Sequence, residues 1–481
     1  FLPLYFREFV QKMAMTPSSI SITPSQPIHF VGIGGVGMSA IARILLQMGY
    51  SVSGSDLKEN TNTIRLKDLG ARIVIGHKAA NVRRAHCIVV SSAITADNCE
   101  YAEAKKISIP IYKRAEMMEF VLKQFPKRIA ITGTHGKTTS TAMLAMVFEG
   151  ADLRPTYLVG SDVLDRGHNA KLDAGQYCIV ESDESDGTFL LIAPNIGIVT
   201  NIEPEHMNYF KTVENLHGHF SQFMTDIDMV SGYVVVNADD ATVMTLAAPL
   251  RPEHRLTVGI AHAADVKASD LVCSPEGTRF EVTAFGKALG TFIIQLYGKH
   301  HVLNALGAIA VALREGIDPD TIRNSLQRFT GTKRRMQLLG TAGNVSVYDD
   351  YGHHPTEIKA TLSAAKAAFG RRLVCVFQPH RYSRTRDLLH EFARSFDAAD
   401  EVIITEIYGA HEPHTQPISA KRIAEEMTAH PHCEFVRYKS RVPQLLANRL
   451  RPGDVVITMG AGDIHTVAKE LLTLLKNKSA C

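Results

Sequence analysis

The sequence predicts an α/β protein of three successive domains. Short β-rich runs alternate with stretches of helical period, the signature of a mostly parallel sheet wrapped by helices. That alternation restarts after Phe125-Pro126 and again after the basic turn TGTKRRMQ, which places boundaries near 125 and 332. The length agrees: at roughly 100 to 200 residues per domain, 481 residues make two to four domains, each able to bury a core.

The elements follow in order. HFVGIG, a helix over SAIARILLQMGY, SVSGSD, a helical segment to Leu69, ARIVIG and CIVVSS make the first domain, 28–125. KRIAITG, a glycine-rich turn, the helical TTSTAMLAMVFEG, then YCIVESD, NIGIVTNI and GYVVVNADD make the second, 126–331. Residues 264–297 alternate with period two between turn signals, which predicts an added antiparallel patch in that middle domain. NVSVYDDY, RLVCVFQ, EVIITEI and DVVITMGAG, separated by helical segments, make the third, 332–481. The Ser, Thr and Pro-rich stretch TPSSISITPSQP reads as a linker, so residues 1–27 are expected to form a flexible extension. Arg7 and Glu8 interrupt the apolar residues ahead of it and no small-residue cleavage site follows, which argues against a signal peptide.

Composition excludes several classes. Lys plus Arg number 52 against 49 Asp plus Glu, a net charge of +3, so no global field argues for nucleic acid and anion binding must be local. Seven widely spaced cysteines without a C-x-x-C pair fit neither a disulfide framework nor a zinc ribbon, and a reducing cytoplasm is the simpler setting. No apolar run approaches the roughly 20 residues that span a bilayer, so membrane insertion is not expected.

The strongest local signal is Gly133-Thr134-His135-Gly136-Lys137-Thr138-Thr139, after the apolar RIAIT and before a helix. Such a loop turns backbone N–H groups toward phosphate oxygens at a helix N-terminus. Lys137 then reaches the β and γ phosphates and the Thr138 hydroxyl is positioned for Mg²⁺. A metal ligand is needed on a neighbouring strand, and the acidic run Glu181 to Asp186 follows YCIV, with Glu181 nearest the strand. His206, in TNIEPEHM, is a candidate for a second metal or for orienting a carboxylate. Gly32-Ile33-Gly34-Gly35-Val36-Gly37 after HFV, with Asp56 ending the next strand, reads as a diphosphate-binding turn that NAD or another nucleoside diphosphate would satisfy. Two clusters close the inventory: DDYGHHP at 349–355 and QPHRYSRTRD at 378–387, the latter with arginines suited to bidentate recognition of a carboxylate or phosphate.

The order GIGGVGMSAIA, GTHGKTT, ESDESD, TNIEPEHM, DDYGHHP and FQPHRYSRTRDL resembles the Mur ligase family, from about His29 to Lys469. The resemblance implies a Rossmann-like N-terminal domain for a UDP-sugar, a central P-loop ATPase domain, and a Rossmann-like C-terminal domain that closes over the site with the amino acid. It implies an ATP-dependent amide ligase joining L-alanine to UDP-N-acetylmuramate through an acyl phosphate, in peptidoglycan precursor synthesis, with ATP and two Mg²⁺. By resemblance, Gly34, Gly35, Gly37, Asp56, His77 and Ser91 serve the UDP-sugar. Thr138, Glu181 and His206 hold metal, His300 and Asn304 contact adenine, Arg335, Asp350 and His353 reach the nucleotide, and His353, Arg381 and Arg384 serve the amino acid. His301 and Asn208 depart from the family pattern, which has Asn and an acid at those places. A bacterial cytoplasmic enzyme, monomer or homodimer, is the expectation. The alternatives are a ligase for murein tripeptide, a nicotinamide dehydrogenase suggested by the first glycine turn, and a non-catalytic ATP-dependent switch.

Overall fold

A computed structural model describes residues 20–91, 93–410, 412–413 and 418–480. They form two compact units. One takes the described residues up to Ala264 together with Gly307–Thr321, and the other takes Asp265–Leu306 with the described residues from Ile322 onward.

The first unit opens with β1 (Ile28–Val31), β2 (Val52–Asp56), β3 (Arg72–Ile75), β4 (Cys87–Val90) and β5 (Ile111–Lys113), a sheet ordered β3-β2-β1-β4-β5 whose pairings are all parallel. β1 and β4 are buried at every position, which is why IHFV and CIVV are unbroken apolar runs. The chain leaves β1 toward β2 and returns to its other side at β4, so the turn after β1 lies at the topological switch point, where ligands of such sheets bind. Helix α1 (Val36–Gln47) starts in that turn and buries Met38, Ile41, Ile44 and Leu45. Helices α2 (Thr61–Asp68) and α3 (Cys99–Lys106) carry asparagine caps, Asn60 and Asn98, that accept backbone N–H bonds. Helix α4 (Arg114–Leu122) follows β5 directly.

The second sheet of this unit contains β6 (Lys127–Thr132), β7 (Thr156–Val163), β8 (His168–Lys171), β9 (Tyr177–Glu181), β10 (Ile196–Val199), β11 (Tyr233–Asn237) and β12 (Arg255–Gly259), ordered β12-β11-β10-β6-β9-β7-β8. Every pairing is parallel except β7 with β8. Helix α5 (Lys137–Gly150) leaves the central strand β6. One continuous core joins the two sheets, from Ile28, Phe30 and Ile41 to Ala130, Leu158, Val180 and Phe223. The boundary read near residue 125 is therefore a change of sheet within one packed body.

The stretch read as a linker is docked from Ile22 onward. Ile22 is buried in the same core, a turn is closed by Gln26 N–H on Thr23 O at 3.0 Å, and Ser51 N–H donates to Pro24 O. Two isoleucines within a Ser, Thr and Pro background are enough to anchor a segment that composition alone marks as loose. The rest of the expected extension, to residue 19, lies outside the described residues.

The second unit holds β13 (Val266–Ser274), β14 (Gly277–Ala284) and β15 (Lys287–Ile294), an antiparallel set where period two predicts one. By compactness this patch goes with the C-terminal residues. Cys273 and the helix Pro355–Phe369 meet through Ala364 O, and Tyr297 packs on Phe369. Its other sheet contains β16 (Gln337–Ala342), β17 (Val345–Asp350), β18 (Leu373–Phe377), β19 (Glu401–Ile404), β20 (Cys433–Phe435) and β21 (Val455–Met459), ordered β16-β17-β21-β18-β19-β20. Only β16 with β17 is antiparallel. The six described cysteines are all unpaired. No helix among the described residues is long and apolar enough to cross a membrane.

At the N-terminal ends of β6, β9 and β11, the buried Glu315 accepts bonds from Lys127 Nζ at 2.5 Å, Tyr177 Oη at 2.8 Å and Tyr233 Oη at 3.1 Å. Burial works against its charge, but Lys127 and the two phenols hold its pKa below the usual value. Glu315→Ala leaves two buried hydroxyls without their acceptor, and urea denaturation is expected to show a loss of about 1–3 kcal/mol. An unchanged midpoint would mean the cluster carries no net stability.

Candidate active site

Strand register assembles the phosphate loop. Val199 of β10 pairs with Thr132 and Ile131 of β6 pairs with Glu181, so the segments after β10 and β9 both emerge beside Gly133. Gly133 has φ +126, and a β-carbon there would lie 2.2 Å from Thr200 Oγ1 and 2.9 Å from Asn201 O. Only glycine fits. Gly136, at φ +86, caps α5. The loop is then latched: Thr134 N–H donates to Asn201 O and His135 N–H to Asn201 Oδ1, both at 2.9 Å, while Thr200 Oγ1 donates to His135 O at 2.6 Å. Thr134 Oγ1 accepts from Glu203 N–H at 2.8 Å, and the His135 ring lies 3.4 Å from Glu203. Thr138 and Thr139 are buried in the first turn of the helix.

Lys137 folds back over this loop. Its ammonium donates to Gly133 O at 2.6 Å and Thr134 O at 3.2 Å, and stands 2.8 Å from Glu184 Oε2. Burial disfavours its charge, but Glu184 and Asp183 outweigh that and raise its pKa. Glu184 is itself buried, which drives its carboxyl up to about 7 against the pull of Lys137. Asp183 is held down at about 2, burial notwithstanding, by Lys137 and then Arg114. His206 caps the short helix Met207–Phe210 in the left-handed region, φ +56, with Nε2 3.9 Å from Glu184 and 3.8 Å from Glu205. Glu181 ends β9 and accepts Gly160 N–H at 2.7 Å. Thr132 Oγ1 and Ser182 Oγ are buried beside the loop with no hydrogen-bond partner among the described residues. The structure thus brings Lys137, Asp183, Glu184 and His206 together. The acidic run lies beside the loop, with Glu184, three residues beyond Glu181, as the partner of Lys137, and the loop's clamp is Asn201, a residue of TNIEPEHM to which the sequence reading gave no role.

The first glycine turn is built differently from a bare fingerprint. Gly34 N–H donates to Asp56 Oδ2 at 2.8 Å, and Gly34 O accepts from Asn60 at 3.3 Å and Asn62 at 3.0 Å. Asp56 therefore braces the turn, leaving Gly35 and Val36 exposed. Beneath lies a polar hub. Buried Glu100 accepts from Ser55 Oγ at 2.5 Å, His77 Nδ1 at 3.2 Å, Lys78 N–H at 3.2 Å and Asn81 Nδ2 at 2.5 Å. Burial disfavours its charge, yet the nearby His29 ring, 3.8 Å away, and the bonds from Ser55 and Asn81 hold it at about 2. His77 is fixed by this hub, and Ser91 follows β4 with Oγ close to the space over Gly32.

In the second unit, β17, β21 and β18 are neighbours with Asp350 and Phe377 both level with Met459, so both sequence clusters leave the sheet at its carboxyl end. Both oxygens of buried Asp350 are occupied, by Met336 N–H at 2.8 Å and Gly352 N–H at 2.7 Å, and burial raises its pKa to about 6 against the pull of Arg335. It shapes the turns around Arg335 and His353. Arg335 meets Glu357 at 3.4 Å and lies over the Tyr351 ring, while Arg334 binds Asp349, Gly460 O and Gly462 O. His353 Nδ1 lies 3.0 Å from Tyr351 O, and its ring lies 5.8 Å from that of His380, which Arg384 approaches at 3.4 Å. Arg381 caps the helix Tyr382–Asp387 at φ +73 with Nε buried and, among the described residues, without a partner, a donor suited to an anion. His300 sits in the first turn of the helix Lys299–Arg314 and Asn304 one turn further on, and His301 is buried against His300, its pKa driven well down by that burial.

A glycine loop between a strand and a helix N-terminus, with a lysine that faces a buried carboxylate, is the arrangement of nucleotide-dependent enzymes of the P-loop kind. Three family descriptions match in succession: Mur ligase family, catalytic domain, over residues 27–126; Mur ligase middle domain over 131–312; and Mur ligase, glutamate ligase domain, over 334–462. The chain belongs to the Mur ligase family. It is 45% identical to UDP-N-acetylmuramate–L-alanine ligase of Anaeromyxobacter sp. (strain Fw109-5) over 460 residues, covering 95% of this chain and 100% of that one. It is 42% identical to the enzyme of the same name from Myxococcus xanthus (strain DK1622), over 96% of this chain and 97% of that one. Among solved structures, UDP-N-acetylmuramate-alanine ligase from Thermotoga maritima superposes with a TM-score of 0.80 at 29% identity, covering 95% of this chain and 100% of that one.

The Glu100 hub yields a pH prediction. A carboxyl depressed from its ordinary value to about 2 adds stability that is present above the ordinary value and lost as pH falls through the folded one. Glu100→Gln is expected to be less stable at neutral pH and to lose less stability between about pH 5 and about pH 3 than the parent. Denaturation curves with equal acid slopes would contradict the assignment.

Proposed function

We propose that the protein is an ATP-dependent ligase joining L-alanine to the carboxylate of UDP-N-acetylmuramate, releasing ADP and phosphate, in the cytoplasmic stage of bacterial peptidoglycan precursor synthesis. The latched loop around Lys137, facing the Glu181–Glu184 turn, carries this reading, together with relatives of that name aligned over nearly the whole chain.

The donors present fit the groups required. Amides of Gly133 to Thr139 and the Lys137 ammonium suit the β and γ phosphates, with Thr132 and Ser182 hydroxyls buried nearby and unpartnered among the described residues. Thr138, Glu181 and His206 are the proposed holders of two Mg²⁺, which supply charge neutralisation of the triphosphate when bound. Lys137 then exchanges its bonds to the loop carbonyls for phosphate oxygens, leaving Glu184 as its counter-ion. His300 and Asn304 are proposed for the adenine, and Arg335, Asp350 and His353 for the nucleotide, Asp350 by holding the turns that present the other two. Gly34, Gly35, Gly37, Asp56, His77 and Ser91 serve the UDP-sugar, with Asp56 acting through the shape of the turn.

The substrate carboxylate attacks the γ phosphorus, the bond from that phosphorus to the β–γ bridging oxygen breaks, and ADP leaves as the acyl phosphate forms. The amine of L-alanine, its carboxylate held by Arg381 and Arg384 beside His353, attacks that carbonyl and expels phosphate. Activation is needed because a free carboxylate is a poor electrophile. Catalysis rests on charge neutralisation and alignment.

Purified protein with ATP, Mg²⁺, UDP-N-acetylmuramate and L-alanine is expected to release phosphate only when all four are present. Lys137→Ala is expected to lower the turnover by at least roughly 10²–10³-fold. Release independent of the amino acid would refute the ligase reading, and a preference for murein tripeptide over L-alanine would reassign the acceptor.

A further inference from the structure

Arg114, the first residue of α4, lies outside every motif used so far. A β-carbon at Gly37 would stand 2.8 Å from one of its guanidinium nitrogens and 3.3 Å from its Cδ, so the side chain lies against the first turn of α1, where the first glycine turn ends. Its Nη2 reaches Asp183 Oδ2 at 3.3 Å. Asp183 adjoins Glu184, which holds Lys137 at 2.8 Å. One path of contacts within the first unit therefore runs from the first glycine turn to the phosphate loop, through Gly37, Arg114, Asp183, Glu184 and Lys137.

The chemistry suits a two-sided contact. A guanidinium carries five N–H donors in a rigid plane, and among the described residues Arg114 hydrogen-bonds only Asp183. Its side chain is 26% exposed, so donors remain for an anion arriving at the exposed Gly35–Gly37 turn. We propose that Arg114 is a positioning residue that couples the two sites, taking a phosphate oxygen of the sugar nucleotide on one edge while the other edge keeps Asp183 in place. This rests on the reading that the first turn binds the UDP diphosphate. An anion on the free edge fixes the guanidinium where it also orders the acidic turn, so the second ligand meets a turn already ordered. The coupling is reciprocal by thermodynamic necessity.

Calorimetric titration of the full chain with UDP-N-acetylmuramate, with and without Mg²⁺ and a non-hydrolysable ATP analogue, tests this. The parent is expected to bind the sugar nucleotide about 5- to 10-fold more tightly when the analogue is present. In Arg114→Ala that ratio should fall to about 1. Arg114→Lys, which restores charge but not the two-edged plane, should not recover it. Asp183→Asn, which attacks the same path from the other end, should lose the ratio too, and the double variant should lose no more than either single one. A coupling ratio in Arg114→Ala equal to the parent's would overturn the proposal whatever its affinity for each ligand alone, as would a parent that binds both ligands without coupling. A parent that binds neither ligand would instead overturn the functional reading on which the proposal rests.

Discussion

Gly133 and the strand end beside it leave no space for a side chain: a β-carbon would fall 2.2 Å from Thr200 Oγ1. This close approach sets the rest of the site. With backbone against backbone, Asn201 accepts from His135 N–H and donates to His135 O, and α5 starts directly after the loop at its Gly136 cap. Lys137, the first residue of that helix, can then reach back to Gly133 O and across to Glu184. Register does the positioning, because β10 and β9 flank β6 and their next residues are delivered to the loop without a long connection.

Buried charge is handled in the same way at each site. Glu184 faces Lys137, Glu100 collects four donors under the first glycine turn, and Asp350 accepts two backbone amides at the end of β17. The partners outweigh burial only at Glu100, whose carboxyl is held at about 2, whereas burial still raises Glu184 to about 7 and Asp350 to about 6 against theirs. The near-neutral composition, a net charge of +3, matches this arrangement, in which charges are balanced in local pairs.

The plainest runs in the sequence are those buried on both faces, whereas RIVI of β3 is legible from its apolar residues although three of its four positions are exposed. IHFV, CIVV, KRIAIT, YVVVN and VVITM announce their strands because both sides of each sheet are covered. β5 and β20 went unread because they are short and half exposed, and the hairpin of β7 and β8, though largely buried, because it carries no clear period. In the site, the loop was legible because glycine, lysine and threonine must sit at fixed spacing. The ESDESD run was legible as a place but not as an assignment, since which carboxylate meets Lys137 depends on the path of the turn after β9. Arg114 and Glu100 had no signal at all. Each acts through neighbours distant in sequence, and only the packed fold shows them.

The central claim is that the loop around Lys137 presents a γ phosphate to the carboxylate of the sugar nucleotide, so that phosphate leaves carrying an oxygen from that carboxylate. UDP-N-acetylmuramate labelled with heavy oxygen in both carboxylate positions tests it most directly, with the released phosphate analysed by mass spectrometry after reaction with L-alanine and ATP. The account predicts one heavy oxygen in each phosphate and one retained in the amide. Phosphate free of label, with product still formed, would contradict it.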